Sequence, residues 1–359
     1  MEIKQRTRRR GEQKVKKAEW SEAWQIAAVY VGTVIGAGFA TGREIMEFFT
    51  RYGAAGTVGI IISGFLFIWG GARLMVMARR IGAISYDELN RYLFGRMLSP
   101  FVTLVMTAMI AGVTAVMIAG AGSVFEEQIG WPRQAGIALT LGLALVVMLL
   151  DRKGLFGVNV LVVPMMMIFS ATVLIKMMMV GDLCRPDMVA SDYSLKAMLS
   201  PFSYAAFNLA MAQAVLVPVA REATGERAVK RGAMLGGVIL TGLLLLNHIV
   251  LLSFPQKDDY DIPMAEVVRT FFAMLYWLYV VVIYGEIFTS VIGGLFGLAR
   301  QVRVWVPSGG KWLGVLLVLL FAAVSPFRYG ELLSFLYPLF GYMSLMLLWL
   351  LWRRRLPHR

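Results

Sequence analysis

The chain has 359 residues, of which 58% are hydrophobic and only 16% charged, with 35 Lys and Arg against 22 Asp and Glu for a net charge of +13. This composition excludes a soluble domain and a disordered chain, and it describes a polytopic membrane protein. The basic excess is not a nucleic-acid footprint, because it sits in short clusters at the ends of apolar runs; the single cysteine, Cys184, excludes an internal disulfide and a multi-cysteine metal site.

Residues 1–20 are rich in Lys and Arg and read as a cytoplasmic tail. The first apolar span, 24–50, runs past signal-peptide length without a small-residue cleavage site, so it is expected to be retained. At its middle stands Gly32-Thr-Val-Ile-Gly36-Ala-Gly38-Phe-Ala-Thr-Gly42. Each interior glycine costs a helix roughly 1 kcal/mol relative to alanine. Lipid cannot satisfy freed amides and carbonyls, so broken backbone at membrane depth implies a polar site buried in protein. A break is expected at Gly36 to Gly38.

Nine further spans follow, at 54–78, 100–124, 134–150, 154–180, 197–220, 232–254, 271–299, 312–326 and 332–352, and a basic tail occupies 353–359. The sixth span is dense in small and polar residues at Pro201-Phe-Ser-Tyr-Ala-Ala-Phe-Asn208. A second break is therefore expected at Ala205 to Asn208. No soluble segment interrupts 21–352, which reads as one transmembrane domain. Ten spans divide into repeats of five, about 21–180 and 195–352, and an odd number per half makes the halves inverted. Interrupted helices at matching positions of inverted halves point to a transporter site.

Orientation follows from Lys and Arg, which favour the cytoplasmic side. With a cytoplasmic N-terminus, 25 of the 35 fall on that side, seven on the other and three within spans. The alternation survives all ten crossings, which predicts a multi-pass protein of the cell membrane with both termini cytoplasmic.

Ionisable groups within spans mark ion paths by default. Glu286 is one. Arg43, Glu44 and Glu47 follow the first break, with Arg43 and Glu47 on one helix face and Glu44 about 100° away. They form either a gate with a buried coupling carboxylate or an interfacial cluster in water. Asn247 and His248 read as interhelical hydrogen-bonding groups, and the 23 Met residues as adaptable packing. No nucleophile with its base and no mid-span Asp pair is present, so an enzyme is not expected.

The segment Gly32 to Phe49 closely resembles the first helix of the YkvI-like membrane proteins, classed as amino-acid permeases within the amino acid/polyamine/organocation superfamily. The resemblance implies an all-α LeuT fold of five plus five helices in inverted repeat, ten in all, with helices 1 and 6 interrupted. In LeuT-like sodium transporters a Gly-x-x-x-Gly-x-Gly segment unwinds, and Gly32, Gly36 and Gly38 match it. The eighth helix there supplies a carbonyl followed three and four positions on by hydroxyls, matched by Glu286, Thr289 and Ser290. The implied ion cage is the carbonyls of Gly32, Ile35 and Glu286 with the hydroxyls of Thr289 and Ser290. The acidic Glu286 and apolar Phe39 depart from the sodium-dependent pattern and leave proton coupling open. Related folds also place an acidic gate partner at the start of the tenth helix, here Glu331 facing Arg43.

Free amides at the two half-helix starts, near Ala37 to Phe39 and Ala206 to Asn208, favour a carboxylate. Gly36, Ala37, Gly38, Phe39, Phe202, Tyr204, Phe207 and Asn208 are thus the expected substrate contacts. The expected activity is secondary transport of an amino acid or similar small zwitterion, coupled to Na+ or H+ by alternating access, with no cofactor beyond that ion. The partners are the bilayer and the small solute, without nucleic acid. A ligand-sensing receptor subunit on the same fold is the alternative.

Overall fold

The computed structural model describes residues 19–149, 158–180, 192–254, 257–305, 312–322 and 326–357. Cys184, the basic tail ahead of Glu19, and Arg152 with Lys153 lie outside them. Among the described residues every one of the ten expected spans is helical. The first is α1 (19–34), α2 (Ala37–Ala40) and α3 (Arg43–Phe48) in series. The others are α4 (Ala54–Ile81), α5 (Tyr86–Ser123), α6 (Arg133–Leu149), α7 (Val158–Val180), α8 (Leu195–Glu222) and α9 (Glu226–Ser253). A short amphipathic α10 (Pro263–Phe271) precedes α11 (Tyr276–Trp305), α12 (Trp312–Ala322) and α13 (Tyr329–Arg353).

Glycine sets how closely the helices approach. α4 packs against both α8 and α9. A methyl group at Gly64 of α4 would strike Thr241, and one at Gly237 of α9 would strike the backbone of Ile68. Such small-residue crossings replace the hydrophobic drive that lipid cannot supply. Tyr30 of α1 lies in the same seam against Gly71 and Gly236, its hydroxyl donating to the Phe67 carbonyl at 3.0 Å.

Charge marks one end of the bundle. There Arg80 pairs with Glu226 at 3.0 Å, Glu226 with Lys230 at 2.8 Å, and Arg231 with Glu19 at 3.0 Å. α5 starts at this basic end and bends at Gly95, whose φ of 79° only glycine adopts freely. Tyr86 to Phe94 is therefore a separate piece, and the third span rises beyond it.

The far end is closed by the segment between α9 and α11. α5 ends there in a π-helical turn, Val124–Ile129. Its Glu127 accepts the amides of Asp261 and Ile262 at 2.8 and 3.2 Å. Asp261 in turn accepts from the Ser123 hydroxyl at 2.8 Å and the Gly330 amide at 3.1 Å. Phe271 belongs to α10 rather than to the eighth span, because Pro263 opens a helix and the chain turns at 273–275 before α11.

Two expectations about breaks are corrected. The first span breaks twice, at Ile35–Gly36 and at Thr41–Gly42, and residues 37–40 between them form one helical turn. Gly42 stands at φ 81° in the left-handed region. The sixth span does not break: α8 is continuous, and Ala205 to Asn208 are buried inside it. Its small residues are alanines, the best helix formers, and not glycines. Its polar side chains bond back along their own helix, Ser203 to the Ser200 carbonyl at 2.9 Å and Asn208 to the Tyr204 carbonyl at 3.1 Å.

Candidate substrate and ion site

The double break leaves a set of unpaired backbone groups in the interior. Ile35 donates to the Val31 carbonyl at 2.9 Å, and the ladder resumes only where Ala40 donates to the Gly36 carbonyl at 3.0 Å. Among the described residues, the carbonyls of Gly32, Thr33, Val34 and Ile35 accept no backbone hydrogen bond, and the amides of Gly36, Ala37, Gly38 and Phe39 donate none. Orphan carbonyls are the negative end of α1 and orphan amides the positive end of α2. Gly36 is extended, at φ −121° and ψ −172°, and no atom lies within 4 Å of where its side chain would begin.

Glu44, in the first turn of α3, folds back over this segment. It is 3% exposed, and its carboxylate lies against Gly38, which has no side chain to exclude it. The Tyr204 hydroxyl and the Asn208 amide of α8 face the carboxylate. Glu44 Oε1 and the Tyr204 hydroxyl have no partner, while Asn208 gives one of its two N–H donors to the Tyr204 carbonyl and keeps the other on the side of the carboxylate. Tyr337 of α13 also lies against Gly38 and packs on Phe207 at 4.8 Å. Phe39 is buried, and Tyr204 is wedged among Phe48, Phe49 and Phe67. Ala37, Gly38, Phe39, Tyr204, Phe207 and Asn208 are thus interior, and Gly36 is half-buried. Phe202 is not: it is 40% exposed on the outside of α8.

The far side of the break is sealed. The Thr41 hydroxyl meets that of Tyr329 at 2.8 Å, its carbonyl accepts the Met264 amide at 3.1 Å, and Tyr279 donates to the Ala40 carbonyl at 3.0 Å. Tyr279, Tyr329 and Tyr337 escape a sequence reading because an aromatic in an apolar helix looks like packing. Only the need of a buried phenol for a partner marks them.

Tyr279 ties α11 to the first span at Ala40, and Glu286 follows it along α11 by about two turns. Glu286 is 1% exposed, and both its carboxylate oxygens are without a partner. Its carbonyl is 3.1 Å from the Thr289 hydroxyl, which donates to it, while Thr289 and Ser290 are half-buried.

The expected gate differs. Arg43 donates to the Tyr260 carbonyl at 3.2 Å and lies beside Gly330 and Asp261. Glu331 is exposed and Glu47 pairs with Arg51, so neither is the partner of Arg43. The i,i+4 spacing of Glu47 and Arg51 favours a local pair, and Arg43 is drawn to the loop above it. The amides of Ala206 to Asn208 are inside a continuous helix and offer no anion site.

No family model matches the chain. It is 44% identical over 337 residues to the uncharacterized membrane protein YkvI of Bacillus subtilis (strain 168), covering 94% of this chain and 97% of that one. The chain belongs to the YkvI family. A second Bacillus subtilis protein, the uncharacterized YyaD, is 24% identical over 92% of this chain and 96% of its own. Among solved structures this YkvI family member is similar to the inward-facing conformation of Mhp1, with a TM-score of 0.60, 13% identity, and coverage of 91% of this chain and 75% of the other. A manganese transporter of Eremococcus coleocola follows at TM-score 0.53, 14% identity, and coverage of 92% and 77%. These likenesses establish a polytopic all-α fold of the LeuT type. Among the described residues no three His, Cys, Asp or Glu side chains converge.

Proposed function

We propose that this YkvI family member is a secondary transporter of an amino acid or similar small zwitterion, coupled to Na+ or H+ by alternating access in the cell membrane. The observation that carries the reading is the doubly broken first span, whose orphan amides at Ala37 to Phe39 lie buried with the Glu44 carboxylate against Gly38. Backbone of this kind at membrane depth persists where it lines a site. The amides of Gly36 to Phe39 suit a carboxylate. The carbonyls of Gly32 and Ile35 would form, with Glu286, Thr289 and Ser290 of α11, a set of oxygens suited to a monovalent cation or a proton. Closure at Thr41, Met264 and Tyr329 is one state of the alternation, with repeats of about 21–180 and 195–352 moving against each other. Arg43 beside Asp261 holds the far gate shut.

The test is uptake by proteoliposomes offered a panel of labelled amino acids under imposed sodium or proton gradients. Accumulation that collapses with one gradient supports the proposal and names the ion. Binding without uptake under any gradient rejects transport in favour of a ligand sensor.

A further inference from the structure

We infer that Glu44 is the recognition carboxylate for the ammonium group of the solute, and that the solute is an α-amino acid whose own carboxylate lies on the adjoining amides of Gly36 to Phe39. This rests on the site reading above and gives it a substrate class.

A carboxylate is retained in a buried apolar setting only when a cation, a proton or several donors satisfy it. The chain supplies Glu44 with none of the cations. Arg43, its neighbour in sequence, is turned to the Tyr260 carbonyl, and Glu44 enters no ion pair among the described residues. Its surroundings are neutral: the Tyr204 phenol and the Asn208 amide, with the phenols of Tyr329 and Tyr337 close by. Of these, the Tyr329 hydroxyl is already engaged by Thr41, and Asn208 spends one of its two N–H donors on its own helix. Negative charge bounded by aromatic rings is the setting that recognises an ammonium group, through the carboxylate and the ring faces together.

The second half of the inference comes from where the carboxylate rests. Its contact with Gly38 places it directly beside the orphan amides, so a negative group and a strip of positive backbone dipoles adjoin. An α-amino acid carries ammonium and carboxylate on one carbon and meets both at once. A solute whose charges are separated by several methylenes cannot, and one lacking the amine leaves Glu44 unpaired.

Equilibrium binding to the purified full-length protein in detergent tests this independently of transport. The probes are the common α-amino acids, their deaminated acids, and β-alanine with γ-aminobutyrate. At least one α-amino acid is expected to bind, with its deaminated acid and the ω-amino acids failing. Glu44→Gln is expected to weaken that binding by about 10- to 100-fold, and Glu44→Asp to restore part of it. Should Glu44→Gln not fold, Gly38→Ala places a methyl where the carboxylate rests and is expected to produce the same loss. Wild-type affinity in Glu44→Gln or Gly38→Ala, equal binding of the deaminated acids, or no α-amino acid bound overturns the inference. Glu44-dependent binding without uptake sinks transport and leaves the inference standing. Uptake by Glu44→Gln at the wild-type KM does the reverse.

Discussion

Glu286 has no charged or hydrogen-bonding partner for its carboxylate among the described residues, yet it sits nearly three helical turns inside a span. A group so placed exchanges a proton or holds an ion. If the coupling ion is H+, Glu286→Gln should remove the pH dependence of gradient-driven uptake while solute exchange across the membrane continues. Proteoliposome uptake and counterflow over a pH series measure the two, and a wild-type pH profile in the variant would move the role elsewhere. If the ion is Na+, the Thr289→Ala, Ser290→Ala pair should abolish sodium stimulation without unfolding the protein. His248 shows the opposite kind of buried polar group. Its two ring nitrogens meet the hydroxyls of Thr50 at 3.1 Å and Thr57 at 3.0 Å, tying α9 to the start of α4. Replacing it with leucine should lower stability by about 1–3 kcal/mol in thermal or denaturant unfolding and leave solute affinity intact, because both hydroxyls then lack their buried partner.

At the scale of elements, the two breaks of the first span differ in kind. The break at Gly36 is open and extended, and its backbone angles are available to any residue. The break at Gly42 needs a left-handed residue, and a side chain there would also meet Met264 and Leu251. Gly36→Ala should therefore change stability by less than about 1 kcal/mol, whereas Gly42→Ala should cost about 1–2 kcal/mol for the backbone alone, more with the contacts. Unfolding curves of the two variants under one condition decide the point. Equal effects would mean that the second break is not held by backbone conformation. The continuity of α8 belongs to this scale too, since alanine-rich sequence between Tyr204 and Ala212 keeps its ladder where the glycines of the first span lose theirs.

For the whole molecule, the far end is latched by one backbone bond from α10 to the turn after α2, Met264 to Thr41 at 3.1 Å. Under the proposed alternating access that bond must open. In a Cys184→Ser background, the pair Thr41→Cys, Met264→Cys should oxidise readily, since residues joined across such a bond lie within disulfide reach. The oxidised form should lose uptake and regain it on reduction. Uptake unaffected by a complete cross-link would mean that α10 does not move in the cycle.

Much of this was written in the sequence, for physical reasons that are local. Ten spans follow from apolar length against bilayer thickness, the sidedness proposed for the loops from the placement of 35 basic residues, and the first break from four glycines within eleven positions. Each depends on properties of neighbouring residues, which a linear reading sees. The interior position of Glu44 does not: spacing left it between a buried carboxylate and a solvated cluster, and only the fold of α3 back onto Gly38 decides. The same holds for Arg43, which passes over Glu331 for the Tyr260 carbonyl, and for Phe202, which faces outward while Tyr204 and Phe207 face in. Tyr279, Tyr329 and Tyr337 join the first span from helices more than two hundred residues away along the chain. Local backbone preference and hydrophobicity are encoded residue by residue, so the sequence by itself determined the membrane class, the helical spans and that the first of them breaks, but not that it breaks on either side of Ala37–Ala40. Which side chains share the interior depends on how helices cross and rotate, and that was decided by the tertiary packing of glycine seams and phenol hydrogen bonds.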